Sequence, residues 1–340
     1  MLVSELIGIV ERTAVLARAA TWDRSGVQVA GTVARCDKLA MALDPSPGMV
    51  REALAWGAQV ILTHHPLTLS PRLPDRVDDF HGLLRLVLGA GAWLYAAHTS
   101  LDTAIDGPPA WLAEALCLTG RRILEPAGVE PYVQARYAAV PAKAACKALA
   151  ALPGVHARAC VAEVEVVFAP HRRAAVEAAL FAACPEAALV SLFPLAEPAT
   201  PYGYGLVGAL AAPITLAELE KRLAELLPRR FFLVAGDPPP LLTTLAYCPG
   251  SGADMAGRAF AAGADVYLTG DLKYHQALEV PPGRCIIDVG HFSLEEVMMR
   301  RFAADLAAAF GPDGPAVRFF PGNDPYTAHV PEAAMPSRTE

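Results

Sequence analysis

Residues 55–63 read Ala-Trp-Gly-Ala-Gln-Val-Ile-Leu-Thr, and residues 261–269 read Ala-Ala-Gly-Ala-Asp-Val-Tyr-Leu-Thr. This near-repeat, 206 positions apart, also aligns Met49 with Met255 and Ala53 with Ala259. Short apolar runs stand upstream of both copies, at Lys38–Leu43 and Thr244–Cys248. Each copy therefore reads as strand, Pro/Gly turn, helix, glycine stop and a second buried strand. A second echo follows at a shorter offset: His98-Thr99-Ser100-Leu101-Asp102 resembles His291-Phe292-Ser293-Leu294-Glu295. A unit repeated this way restricts the chain to α/β architectures with two comparable halves, residues 1–128 and 201–340.

Residues 129–200 follow another rhythm. Tyr132–Ala138, Glu163–Ala169 and Ala188–Phe193 read as strands. Ala142–Leu152, stopped by Gly154, and His171–Ala183 read as helices. The order is βαββαβ with one strand unassigned, the pattern of a ferredoxin-like α+β module inserted between the halves. Pro198, Pro201 and Gly203 read as its return linker, and Thr215-Leu216-Ala217-Glu218 as a capping box opening a helix through Leu227. Gly203-Tyr204-Gly205-Leu206-Val207-Gly208 spells G-x-G-x-x-G, but a Pro-rich stretch precedes it and Pro213 separates it from the next helix. It reads as a Gly-rich strand rather than a dinucleotide fingerprint. Gly250-Ser251-Gly252 is better placed for an anion, and as a bare signal it is a tight turn.

Composition narrows the class. Hydrophobic residues make up 54% and charged residues 19%, which excludes a disordered chain. A net charge of −7 gives no basic footprint for nucleic acid. The apolar stretches are broken well before the ~20 residues a membrane span needs. Met1–Ile7 lacks a basic region, meets Glu11 and Arg12 early, and reads as an amphipathic helix rather than a signal peptide. Seven scattered cysteines without a Cys-x-x-Cys pair fit reduced thiols, so a cytoplasmic protein is expected.

Reactive side chains gather at four strand ends. Val60–Thr63 runs into His64-His65-Pro66, and Ala92–Ala97 into His98 and Asp102. Val266–Thr269 runs into Gly270-Asp271, with His275 four residues on, and Cys285–Val289 into Gly290-His291 and Glu295. Ligands in open α/β sheets bind at the carboxyl ends of strands, and five of the nine histidines stand there. Ser293-Leu294-Glu295-Glu296 has capping-box form, which predicts a helix over 294–309 with Ser293 at its cap. His64, His65, Asp102, His291 and Glu295 form a mixed N/O donor set suited to Zn, Mn, Fe, Co or Ni, and one carboxylate could bridge two ions. Each residue alone would read as surface or satisfied core; their shared placement carries the metal reading.

These residues lie in ordered motifs. Trp22-Asp23-Arg24-Ser25-Gly26-Val27-Gln28-Val29, Thr63-His64-His65-Pro66-Leu67, His98-Thr99-Ser100-Leu101-Asp102, Thr269-Gly270-Asp271-Leu272-Lys273-Tyr274-His275, Asp288-Val289-Gly290-His291-Phe292-Ser293-Leu294-Glu295 and Asn323-Asp324-Pro325-Tyr326 succeed one another. Together they closely resemble the Nif-three-like dinuclear metal-centre proteins, often labelled type 2 GTP cyclohydrolase I. The resemblance spans essentially the whole chain. It implies two divalent ions per chain held by His64, His65, Asp102, His291 and a bridging Glu295. His98, Asp271 and His275 match further cavity positions, as proton carriers or as supports of the ligands. It also implies a toroidal homohexamer and a PII-like identity for the inserted module. Where longer relatives read His-Pro-Tyr-Glu-Glu, this chain has Cys184-Pro185-Glu186-Ala187-Ala188, so no ligand role carries over to that loop.

The implied reaction is hydrolytic: hydroxide attacks C8 of the guanine imidazole ring of GTP and formate leaves. Lys273 and Arg24 are the candidates to meet the triphosphate. A non-enzymatic metal-binding regulator, chaperone or store is the competing expectation, because a ligand set does not by itself prove a reaction.

Overall fold

A computed structural model describes residues 1–139, 141–152 and 154–329; the last part of the expected second half, 330–340, lies outside the described residues. The near-repeat is a structural repeat. In the first half β1 (Gly26–Val29), β2 (Lys38–Ala42), α2 (Pro47–Trp56), β3 (Val60–Thr63), α3 (Asp79–Ala90) and β4 (Trp93–Ala96) follow the amino-terminal helix α1 (Val3–Val10). Strands β2, β3 and β4 run parallel and adjacent, with β1 antiparallel along β4. The helix stops are glycines in the left-handed region, Gly57 at φ +90° and Gly91 at φ +63°, where a side chain would be strained.

The second half repeats this order with β9 (Leu233–Gly236), β10 (Leu242–Tyr247), α9 (Ala256–Ala261), β11 (Val266–Thr269), α10 (Tyr274–Leu278) and β12 (Cys285–Asp288). Strands β10, β11 and β12 are parallel neighbours, and β9 lies antiparallel along β12 as β1 does along β4. The halves exchange one element. After the long helix α11 (His291–Phe310), strand β13 (Ala316–Phe319) returns to the first sheet and pairs with β2, closing the order β1-β4-β3-β2-β13.

Period-two alternation explains how the sheets share a core. Leu39 and Met41, Val60 and Leu62, Leu245 and Tyr247, Val266 and Leu268, and Ile287 all point into one buried cluster with Leu294, Met298 and Phe302 of α11. The intervening residues serve separate outer layers: Ala40, Ala42 and Ile61 under α2 and α3, and Ala246, Tyr267 and Ile286 beside α9. Both faces of the parallel strands are thus buried, which is why these runs are continuously apolar rather than alternating.

The inserted segment supplies the unassigned strand. β5 (Thr119–Ala138), α6 (Ala142–Ala150), β6 (His156–Ala159), β7 (Glu163–Phe168), α7 (Arg173–Ala183) and β8 (Ala188–Ile214) give βαββαβ with lateral order β6-β7-β5-β8, the ferredoxin-like arrangement. Its own core includes Tyr137, Ala145, Leu149, Val164, Val166, Phe168, Val176 and Leu180.

The expected return linker is instead part of strand β8. Gly203 pairs with Pro126, Pro201 with Val129 and Ala199 with Pro131, so β5 and β8 form an unbroken ribbon that joins the module to the second sheet. Register shifts at Pro126/Gly128 and Pro131/Val133 absorb prolines there, and each strand of a two-stranded ribbon has an open edge where a missing N–H costs no ladder bond. The G-x-G-x-x-G sequence lies inside β8, where a Cβ on Gly203 would strike the Glu125 carbonyl. Its glycines serve close strand approach. Among the described residues no helix is long and apolar enough to cross a membrane.

Candidate metal centre

Three strand ends build the site. Thr63 closes β3 and its hydroxyl donates to the His65 carbonyl at 2.8 Å, while the His64 and His65 amides both donate to the Leu43 carbonyl. This fixes the chain as it turns at Pro66, with the two imidazole centroids 5.2 Å apart. β4 runs through Ala97 to His98, and the single turn of α4 (Thr99–Asp102) folds Asp102 back toward His64. β12 ends at Gly290, whose φ of +91° lets α11 begin at once with His291.

The helix start corrects the expectation that Ser293 caps a 294–309 helix. α11 starts three residues earlier, at His291, and Ser293 is buried within its first turn. A left-handed glycine therefore sets the boundary here, not the capping-box pattern. The consequence is chemical: His291 and Glu295 become an i, i+4 pair on one helix face, with His291 Nε2 2.8 Å from Glu295 Oε2.

Glu295 stands at the centre of the cluster. Its Oε1 is 3.5 Å from His64 Nε2, and its Oε2 is 3.1 Å from His65 Nε2. His64 Nε2 is also 3.7 Å from Asp102 Oδ1. The other ring nitrogen of each imidazole is engaged behind. His64 Nδ1 lies 2.7 Å from the Ala97 carbonyl, His65 Nδ1 2.7 Å from Asp44 Oδ1, and His291 Nδ1 2.7 Å from Asp271 Oδ2. With Nδ1–H donating to an oxygen, Nε2 keeps its lone pair for a metal. His64 Nε2 and Asp102 Oδ1 are buried without a hydrogen-bond partner, and the buried Glu295 Oε2 faces only the imidazole nitrogens of His65 and His291. Buried polar atoms left unpaired cost stability, and three donor atoms converging in this way fit a cation between them.

The charges agree with that fit. Burial opposes a charge on His65, yet hydrogen bonds to Asp44 and Glu295 outweigh it and push the imidazole up to about 10. Burial likewise opposes a charge on His291, while Glu295 and Asp271 raise it to about 9. Burial raises the Asp102 carboxyl, and His64 only partly offsets it. Burial works against ionised Glu295 too, but His64, His291 and His65 together hold it well below the ordinary range. In the metal-free protein, protons on the imidazoles thus occupy the place of cations.

Among the described residues two groups could hold a metal ion: His64, His65 and His98, and His65, His291 and Glu295. His98 is half-buried, its ring 5.2 Å from His64, with Nδ1 2.7 Å from Asp23 Oδ1. Asp271 abuts His291 from an exposed position, at a left-handed φ of +58° that non-glycine residues adopt at a cost. His275 is exposed on α10, its ring edge-on to Tyr274 at 5.3 Å, and belongs to neither group.

Four residues support the site in a way the sequence does not show: Asp44, and Asp23, Asp288 and Gly250, which in sequence are only members of the ordered motifs or of a tight turn. Asp44 follows β2 directly, and its place in an Asp-Pro turn resembles any loop start. Asp23 is buried, and its carboxylate also accepts from the Arg24 amide, the Ser25 hydroxyl and both the amide and hydroxyl of Thr99. Asp288 accepts from the Leu272 and Gly290 amides, pinning the two turns that carry Asp271 and His291. Gly250 sits against Glu295, where a Cβ would overlap Oε1. The buried Cys248 thiol is pushed well up by burial and by Asp102 and Glu295.

The family described as Duf34/NIF3 (NGG1p interacting factor 3) matches residues 1–321. A Streptomyces coelicolor protein named "GTP cyclohydrolase 1 type 2 homolog" is 27% identical, covering 98% of this chain and 96% of its own. A Mycobacterium tuberculosis protein of the same name is 30% identical, covering 86% and 88%. The crystal structure of a Bacillus cereus protein related to NIF3 superposes with a TM-score of 0.77 at 25% identity, covering 96% and 98%. With a family model matching residues 1–321 and its fold shared with a NIF3-related protein, the chain belongs to the Duf34/NIF3 family.

Proposed function

We propose that the chain is a dinuclear-metal-dependent hydrolase of the type 2 GTP cyclohydrolase I kind, opening the guanine imidazole ring of GTP with release of formate. One observation supports the metal part: His64 Nε2 and Asp102 Oδ1, buried without hydrogen-bond partners, converge on the Glu295 carboxylate while each imidazole is fixed from behind. His64 and Asp102 would hold one ion, His65 and His291 the other, and Glu295 would serve both. Divalent ions in such a donor set lower the pKa of water from 15.7 toward about 7, supplying hydroxide at neutral pH. Ion identity stays within Zn, Mn, Fe, Co and Ni, which this donor set does not separate.

The substrate part rests on the names of the relatives. His98, with Nδ1 held by Asp23, keeps Nε2 available to take or give a proton beside His64 and His65. Asp271 acts through His291, which it orients. His275, exposed on α10, would exchange protons with solvent. Arg24 and Lys273, both exposed, are the groups offered to the phosphates.

Assembly as a toroidal homohexamer belongs to the same proposal, supported by exposed Leu73 and Val77, at 78% and 89%. A cytoplasmic site of action fits seven free cysteines. Light scattering should return a hexamer mass; a monomer mass contradicts the assembly.

The activity test is formate release from GTP by metal-loaded protein, abolished in Asp102→Asn and Glu295→Gln. A second reading, a metal-binding regulator, chaperone or store, is favoured by the unbroken β5–β8 ribbon joining the inserted module to the core. Absence of turnover on GTP and on a panel of phosphate esters and amides, with metal retained, selects that second reading.

A further inference from the structure

A cleft of about 300 Å³ lies where the core meets the inserted module, lined by Arg12 and Thr13 after α1, Arg18, Asp106, Arg172 at the start of α7, and Thr200 of β8. It is separate from the metal centre: none of His64, His65, Asp102, His291 and Glu295 lines it. Its inner wall, residues 103–107, is the stretch of chain that leaves Asp102.

The guanidiniums in this cleft are not equivalent. Arg18 is tied down, ion-paired with Glu130 of β5 and lying over the Tyr202 ring 5.2 Å from its centroid. Arg12 and Arg172 face the cleft from the core and from the module, and no carboxylate among the described residues is within ion-pair distance of either. Asp106 is the one acid among the lining residues, so two uncommitted cations outweigh it. The Thr13 and Thr200 hydroxyls add donors on the same walls. The first turn of α7 carries no acidic residue to oppose them.

We infer that this cleft binds a phosphate-bearing small molecule, gripped between Arg12 on the core and Arg172 on the module. Guanidinium groups favour phosphate because their planar fork donates two parallel hydrogen bonds to tetrahedral oxygens. The volume leaves room for a substituent on the phosphoryl group. Guanidiniums and hydroxyls on its walls favour an anionic ligand over an uncharged one, with Ala104, Ile105, Ala175 and Pro201 left to pack the substituent. The inference goes beyond the proposed hydrolase reading and stands whether or not the chain turns over GTP.

The test uses the full chain stripped of metal and freed of chelator, so that no bound ion holds the probe. Calorimetric titration with inorganic pyrophosphate should show saturable binding at one site per chain. The double variant Arg12→Gln/Arg172→Gln should weaken it at least about tenfold, the scale of losing charge-assisted hydrogen bonds. Arg12→Lys/Arg172→Lys should retain more affinity than the Gln pair, and Glu295→Gln should bind as the wild type does. If the Gln pair melts early, the two single substitutions carry the same expectation. Pyrophosphate binding undiminished in the Gln variants, or no saturable binding by the wild type, overturns the assignment. Tighter saturation by citrate than by pyrophosphate would also overturn it, as carboxylate recognition.

Discussion

Each ligand imidazole is anchored through Nδ1, to Ala97 behind His64, to Asp44 behind His65 and to Asp271 behind His291. Such outer contacts typically change metal affinity 10–100-fold when removed, so Asp44→Asn and Asp271→Asn should each weaken zinc binding by about that factor in a chelator competition. Undiminished affinity in both would show that the anchors do not orient the ligands. Protonation gives a second expectation. In the folded metal-free chain, against burial, the neighbouring carboxylates push His65 up to about 10 and His291 up to about 9, both above the ordinary 6.5. Their stabilising charge is therefore fully present below pH 6.5 and is lost as pH rises toward 10. Metal loading at pH 7.5 should release protons into a weakly buffered solution, and affinity should rise with pH. Loading without proton release would contradict this charge assignment.

At the scale of elements, glycines and carboxylates decide how closely the strand ends approach. Gly250, at φ +69°, follows β10 and leaves the space that Glu295 Oε1 fills. Gly250→Ala should displace the carboxylate and lower metal content while leaving the overall circular dichroism spectrum unchanged; full metal occupancy would contradict it. Asp265 ties the start of β10 to β11 by accepting from the Thr243 amide and hydroxyl at 2.8 Å and the Thr244 amide at 3.0 Å. Burial opposes its charge, but those bonds and Arg284 hold its carboxyl below the ordinary 3.8. Its contribution is thus present above that value and lost as pH falls through the folded one. Asp265→Asn should cost about 1.5–3 kcal/mol at neutral pH by denaturant melts, and the difference should shrink in acid.

The repeat, the buried strands and the donor residues at their ends were legible because continuous apolar runs and glycine stops are local signals. Other features were not local. The start of α11 depends on the Gly290 backbone rather than on Ser293. Strand β6, four residues with little burial, leaves no apolar pattern to read. The prolines of β8 signal a linker until β5 is seen pairing with them. Asp23 and Asp44 acquire meaning only when the fold brings His98 and His65 to them.

The whole molecule is held together by exchange between its parts. β13 returns to the first sheet, α11 packs its buried face into a core fed by both sheets, and the β5–β8 ribbon joins the inserted module to the second sheet. The proposed ligands accordingly come from both halves, His64, His65 and Asp102 from one, His291 and Glu295 from the other, so such a centre would require the halves to be docked. Metal binding should therefore stabilise the entire chain, seen as a single melting transition that moves up on loading; separate transitions for the halves, with only one responding, would contradict this. The central proposal is that Glu295 would serve two ions at once. Metal analysis of purified, metal-loaded protein tests it most directly: about two ions per wild-type chain and loss of both in Glu295→Gln are expected, whereas a Glu295→Gln chain that keeps two ions would contradict the account.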